Sequence, residues 1–412
     1  MKNRSFLCSA FLFANIFAFS SEIDVAIDSY LDSLSPEEQI AQIFLVNLDG
    51  NADFKAVETL NEKPLIPGGY LFFSYNIAHS AEQIINFTDS IYNYCKKNKI
   101  VQPYLAIDHE GGDVNRLRNI VSTLPSQKSV SENFSPKQIY SLYSLQAEQL
   151  KILGFTLNIS PVAETLNSLN VDFLSDRSFG SLSKTAVFSL IEIRAYQDKG
   201  VGAVAKHFPG NTNTDPHSGL PEIKLSPFEV EQILLLPFAY SLFAKPSAVL
   251  MSHAKIPAIS QNESAGLSKK WIKEILREEL GFSGLVLSDD IFMQALSQNG
   301  YPPETAAQTA ILAGSDVIML SEKKFAHIVK NLLEEQKNSK TLQESLRKAA
   351  HNVIQFKVNL GIFIYDSEKN TIAENPNFSP ENRLGSLADR LSAFSESFLK
   401  GEQLVFLMEE VK

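Results

Sequence analysis

Lys206-His207-Phe208-Pro209-Gly210-Asn211 closes a strand-like run, and Asp215-Pro216-His217 follows on a loop punctuated by Gly, Pro and Asn. Two cation-capable side chains therefore stand at a strand end, with an Asp and a His just beyond them. Polar groups end other apolar runs in the same way. They are Asp108-His109-Glu110-Gly111-Gly112 followed by Arg116, Asp176-Arg177-Ser178-Phe179-Gly180, His253, and Ser288-Asp289-Asp290. Carboxylates and cations gathered in one pocket make paired hydrogen bonds to vicinal hydroxyls, which suits a neutral polyhydroxylated ligand. Cleaving a glycosidic bond there takes one carboxylate beside the anomeric carbon and one proton donor beside the leaving oxygen. Asp289 suits the first role on its strand end. His217, charged and oriented by Asp215, suits the second. Lys206, Arg116 and Arg177 would repel a metal ion, and neither HExxH nor a paired-cysteine spacing occurs. The Gly-rich cradle favoured by phosphoryl transfer is missing as well, so no metal or cofactor is expected.

Such groups share one mouth only if their strands run parallel and end together. Apolar or β-branched runs at 42–48, 69–74, 103–108, 156–162, 202–207, 248–253, 285–290 and 316–320 read as strands. Most lack two-residue alternation, as expected of parallel strands covered on both faces. Helix-period segments lie at 80–97, 135–153, 184–199, 227–243, 268–280, 303–313 and 323–337, with a last one at 342–360. Ser135-Pro136 and Ser226-Pro227 are helix starts, and Gly154 and Gly200 are stops. Strands alternating with helices in this way predict a (β/α)8 barrel, an α/β fold of TIM type. A doubly wound open sheet is the alternative, but no Gly-rich phosphate fingerprint follows the first strand. Residues 21–363 are assigned to the barrel and 364–412 to a linker and tail. Within that extension 365–382 is polar, 384–399 is helical in pattern, and 403–408 reads as one strand. Roughly fifty residues do not easily make a domain of their own, so the extension is expected to pack on the barrel.

The chain has 412 residues and a formal net charge of -10, with no basic stripe, so a nucleic-acid partner is not expected. Lys2 and Arg4 precede an apolar run at 6–19, and Ala18-Phe19-Ser20 offers a small-residue cleavage site. Residues 1–20 read as a signal peptide, too short for a stable membrane span, and export to the periplasm or the exterior follows. Cys8 would leave with that peptide, and Cys95 remains as a small buried residue. Oligomeric state is not written in the sequence.

Ile107-Asp108-His109-Glu110-Gly111-Gly112, Lys206-His207-Phe208-Pro209-Gly210, Asp215-Pro216-His217 and Leu287-Ser288-Asp289-Asp290 together resemble the motifs of glycoside hydrolase family 3. They are most similar to its bacterial β-N-acetylglucosaminidases, which act on peptidoglycan fragments. Gly68-Gly69-Tyr70-Leu71-Phe72-Phe73 and the stretch from Leu276 to Gly284 are similar too, and the resemblance runs from about Ser35 to Phe363. It implies exo-acting release of terminal β-linked N-acetylglucosamine from a glycan, with retention, through a covalent intermediate on Asp289. It implies His217 as acid/base paired with Asp215, and Asp108, Arg116, Arg177, Lys206 and His207 as the sugar-binding set. Three positions depart from the family pattern: Asp113 where Arg is usual, Asn211 where His is usual, and Pro216 inside the dyad. A β-glucosidase or β-xylosidase of the same family, and a non-catalytic sugar-binding barrel, are the alternatives. Retention of Asp289, Asp215 and His217 together favours the hydrolase.

Asp290 competes with Asp289 as nucleophile, but strand alternation lets only one face inward and the motif position favours Asp289. Glu110 reads as an anchor for the Gly111-Gly112 turn, and His109 as a packing or surface residue. Asp49, Asp172 and Glu164 carry no distinct signal and are assigned no role.

Overall fold

The computed structural model describes residues 22–120, 124–214 and 219–378. The leader at 1–20, Asp215, His217 and the expected elements at 384–399 and 403–408 lie outside the described residues. All eight expected strands are present: β1 Phe44–Asn47, β2 Gly69–Phe72, β3 Tyr104–Ile107, β4 Leu157–Asn158, β5 Gly202–Phe208, β6 Ala248–Met251, β7 Leu285–Leu287 and β8 Ile318–Leu320. Neighbours in the sheet pair in parallel, with β1 between β8 and β2. A parallel bridge from Leu287 to Val317 joins β7 to the start of β8, so the ring is a (β/α)8 barrel.

Alternation along each strand divides the core. Ala106, Val204, Leu250 and Leu287 belong to the interior cluster, whereas Leu105, Ile107, Ala203, Ala205, Val249 and Val286 pack outward against the helices. Most strands stop short of their expected C-terminal ends. There the hydrogen-bonded ladder gives way to the polar residues of the mouth. In β4 the break has a further cause. Pro161 has no N–H to donate, and pairing resumes only as a single bridge between Val162 and Lys206.

The helices follow local chemistry. Ser80, Ser135 and Ser181 cap Ala81–Asn98, Pro136–Ile152 and Leu182–Asp198 by accepting backbone N–H groups, and Ser135 forms a full capping box with Gln138. Gly154 and Gly200, with φ of 95° and 80°, end the second and third of these in a left-handed conformation that glycine adopts without strain. The segment after β5 is helical in three pieces, Pro227–Glu229, Val230–Leu235 and Leu236–Leu242. The middle piece is wider, just ahead of Pro237, which cannot donate back along the helix.

The underside is closed by the first helix, Glu22–Asp32, and the last, Lys340–Asn359. Arg347 of the last helix meets Asp28 at 3.1 Å and Asp32 at 2.7 Å. Lys357 is fully buried and donates to Gln42 Oε1 and to the Gln102 carbonyl, both at 2.7 Å. The stretch expected as polar linker begins instead with an antiparallel hairpin of β9 (Phe363–Asp366) and β10 (Thr371–Glu374). Its polar composition hides it, because only a few side chains such as Phe363 and Ile372 turn inward. Phe378 then sets its ring 5.4 Å from Tyr92. Cys95 is buried as expected, and burial pushes its thiol up to about 12, which leaves it inert.

Candidate active site

At the C-terminal mouth lies a cavity of about 220 Å³. Leu71, Ile159, Leu250 and Met319 contribute its apolar lining, and Asp108, Arg116, Lys206, His207 and Asp289 its charged and polar groups. A larger groove on the opposite face carries none of these groups, so the chemistry belongs to the smaller space.

Lys206 is the centre of the charge arrangement. Only 2% of its surface is exposed, and its Nζ lies 2.6 Å from Asp108 Oδ1 and 2.5 Å from Glu110 Oε1. Glu110 is buried and accepts two further bonds from Arg177, at 2.9 Å from Nε and 2.8 Å from Nη2. Burial alone would raise the Glu110 carboxyl, but Lys206 and Arg177 overcome this and hold it well below the usual carboxylate range. The charges thus alternate from Asp108 through Lys206 and Glu110 to Arg177. Glu110 is therefore a partner of the cations and not a turn anchor. The turn is held by backbone instead: Gly112 donates to the Leu124 carbonyl at 2.9 Å, and a Cβ on Gly111 would fall 2.2 Å from the Pro125 carbonyl oxygen. Arg177 stands one layer behind the cavity wall, whereas Arg116 reaches it. The Arg116 guanidinium lies 3.8 Å from Asp108 Oδ2 and over the Phe73 ring at 5.9 Å.

His109 is buried, and it holds the Arg116 backbone. Its Nδ1 accepts the Arg116 N–H at 3.1 Å, while its own N–H and carbonyl bond to Asn158 at 3.0 and 2.9 Å. Burial lowers its imidazole to about 3, so the ring is neutral and free to accept.

His207 sets Nδ1 2.8 Å from Glu164 Oε1. A carboxylate only accepts, so Nδ1 carries the proton and Nε2 is the remaining ring nitrogen for a ligand. Glu164 is buried and also takes the Asn211 N–H at 2.7 Å and the Asn211 side chain at 3.2 Å. Glu164 has no signal of its own in the sequence. Its place two residues beyond Val162, where polar side chains begin on other strands, is the clue that was available. Asn211, one of the departures from the family pattern, is thereby fixed against Glu164.

Asp289 and Asp290 both line the cavity, so alternation does not turn one of them away; they differ in what holds their carboxylates. Asp289 lines the cavity at 9% exposure, and its Oδ1 accepts the Asp290 N–H at 2.9 Å. Asp290 turns Oδ1 to the backbone N–H groups of Phe292 and Ser321, both at 3.0 Å, and so ties the loop after β7 to the loop after β8. His253 is buried behind that loop, with Nε2 3.0 Å from the Asp290 carbonyl, and it does not line the cavity. Asp215 and His217 lie outside the described residues. The preceding loop is held at Asn211 by Glu164, and Asn213 accepts the Asp172 N–H at 2.8 Å.

The fold and this mouth define a parallel (β/α)8 barrel whose C-terminal cavity is lined by Asp289 together with the ion-paired Asp108, Lys206 and Arg116. The chain belongs to glycosyl hydrolase family 3, whose N-terminal-domain model matches residues 36–356. It is 29% identical over 323 residues to Beta-hexosaminidase A of Pseudoalteromonas piscicida, covering 71% of this chain and 53% of that one. With the Beta-hexosaminidase of Pseudomonas aeruginosa it shares 30% identity over 256 residues, 61% of this chain and 74% of the relative. The chain thus spans about half the length of the Pseudoalteromonas relative. The solved family 3 β-N-acetylglucosaminidase of Paenibacillus sp. str. FPU-7 superimposes with a TM-score of 0.74 at 24% identity, over 84% of this chain and 68% of that one, and shares the fold.

Proposed function

We propose that this chain is an exo-acting, retaining β-N-acetylhexosaminidase that removes terminal β-linked N-acetylglucosamine from glycans. The observation that carries the proposal is Asp289, a carboxylate inside a cavity whose other wall holds Asp108, Lys206, Arg116 and His207. At about 220 Å³ the cavity lies below the roughly 300–1,000 Å³ of drug-sized sites, which suits one sugar ring and an exo mode. The curated relatives' name, Beta-hexosaminidase, supports a hexosamine substrate, and the resemblance of the sequence motifs to the family's β-N-acetylglucosaminidases supports the N-acetyl group.

In the proposed reaction an Asp289 carboxylate oxygen attacks the anomeric carbon. The bond to the leaving oxygen breaks, its electron pair stays on that oxygen, and the His217 imidazolium, favoured by Asp215, donates the proton. Neutral His217 then takes a proton from water as the water attacks the glycosyl ester, releasing sugar and Asp289. Asp108, Lys206, Arg116 and His207 hold the hydroxyls, and Arg177 acts through Glu110 on Lys206. We further propose export by the leader at 1–20, with peptidoglycan-derived fragments as the natural glycan class.

Proton NMR of the first-formed sugar tests the reading. The β-anomer is expected first, followed by mutarotation. Asp289→Asn is expected to cut turnover by on the order of 10³ or more with the fold intact. An initial α-anomer, binding without turnover of any aryl N-acetylglucosaminide, or a greater catalytic loss in Asp290→Asn overturns the assignment.

A further inference from the structure

On the N-terminal face, away from the cavity, an apolar groove of about 1,020 Å³ runs beneath β5, β6 and β7. Leu242 and Phe243 form one wall, Leu280 and Phe282 another, and Phe356 and Leu360 of the last helical stretch a third. Phe243 is 70% exposed, and the neighbouring Tyr240, its ring 6.4 Å away, is 46% exposed. Lys245 and Glu279 also line the groove, and an exposed apolar patch flanked by polar residues in this way marks a contact site.

The chain carries a matching segment, and the stretch that leads to it passes beside one wall of this groove. Asn375 bonds to the Ile362 carbonyl at 3.0 Å and, through its side chain, to the Gly361 carbonyl at 2.7 Å, directly beside Leu360 of the groove wall. The described chain ends three residues later, at Phe378, whose ring packs on Tyr92 of the helix Ala81–Asn98. Residues 384–399 then repeat Leu384, Leu387, Leu391, Phe394 and Phe398 at alternating spacings of three and four, one stripe of a helix. Asp389, Glu396 and Lys400 fall on the other side of such a helix. The intervening residues 379–383 span up to about 17 Å when extended, enough to cross the width of one helix. A tether that short gives an effective concentration in the millimolar range, which an untethered partner would have to exceed.

We propose that residues 384–399 dock as an amphipathic helix in this groove, their Leu and Phe stripe covering Phe243, Leu280 and Leu360. The groove's position opposite the active-site mouth makes this a separate interaction surface, independent of the proposed reaction. The test uses the full chain with Phe243→p-benzoylphenylalanine, irradiated at low micromolar concentration and mapped by mass spectrometry. Links within one chain from position 243 into 384–399 are expected. In the full chain with Leu391→Asp and Phe394→Asp added, those links should disappear and the binding of an anilinonaphthalene sulfonate dye should rise severalfold. Links between two chains would assign the groove to a second copy, and links confined to the barrel would leave the tail elsewhere. Either result, or a link that survives the double substitution, overturns the proposal.

Discussion

Asp289 and Asp290 are neighbours with the same side chain, yet their surroundings give them different work. Both line the cavity, but Asp289 spends one acceptor site on the adjacent N–H, whereas Asp290 is engaged by two backbone donors on different loops. His253 is likewise removed from the reacting space by its bond to the Asp290 carbonyl. The proposed proton donor is His217, and its prediction rests on leaving-group chemistry. An activated nitrophenolate departs with little need of a proton, but breakdown of the glycosyl ester still needs a base. His217→Ala is expected to show a nitrophenol burst followed by slow turnover, and to lose far more activity on a natural disaccharide. Stopped-flow traces showing no burst and equal losses on both substrates would remove His217 from the mechanism.

At the scale of elements, the helix Leu182–Asp198 supports β4 through a buried carboxylate. Glu192 accepts Ser160 Oγ at 2.5 Å and Gln127 Nε2 at 3.1 Å. Burial pushes its carboxyl up to about 7, although the bonds from Ser160, Gln127 and Tyr143 oppose the rise. Its folded value therefore lies above that of the unfolded chain. The folded state binds the proton more tightly, so this contribution is fully present below about pH 4.5 and is lost as pH rises through about 7. Between those limits wild type should lose stability relative to Glu192→Gln, by at most roughly 1.4 kcal/mol per pH unit. Urea midpoints measured for both proteins from pH 4.5 to 7.5 check the slope, and parallel curves would contradict it.

The molecule as a whole is closed from below by Lys357, which joins the last helix to residues that precede β1 and β3. Burial lowers its ammonium to about 7. The unfolded chain, with an ordinary lysine near 10.4, then binds more protons than the folded one across that interval, so stability rises with pH. Lys357→Met should remove this rise whatever its effect on absolute stability, because it removes the titrating group. Chemical denaturation of both proteins from pH 7 to 9.5 reads the difference, and a wild-type curve no steeper than that of the variant would refute it. Among the described residues no helix is long and apolar enough to cross a membrane.

Order along the chain determined most of the architecture. Apolar runs ending in Asp, His or Lys and separated by Ser-capped helices are local signals, and each of the eight strands lies where its run was read. The same signals located Asp108, Arg116, Lys206, His207 and Asp289, because a parallel barrel brings strand ends together without further instruction. What the sequence could not supply is who touches whom. Glu110 looked like part of a Gly-Gly turn until Lys206 and Arg177 arrived from elements almost a hundred and about seventy residues away. Glu164 had no motif, and its role appears only where His207 and Asn211 converge on it. The hairpin after Phe363 read as linker because its few inward side chains find their partners on helices from both ends of the chain. Local propensity is set by a residue's neighbours in sequence. Charge pairing, burial and the resulting shifts in protonation depend on neighbours in space, and these exist only once the barrel has closed.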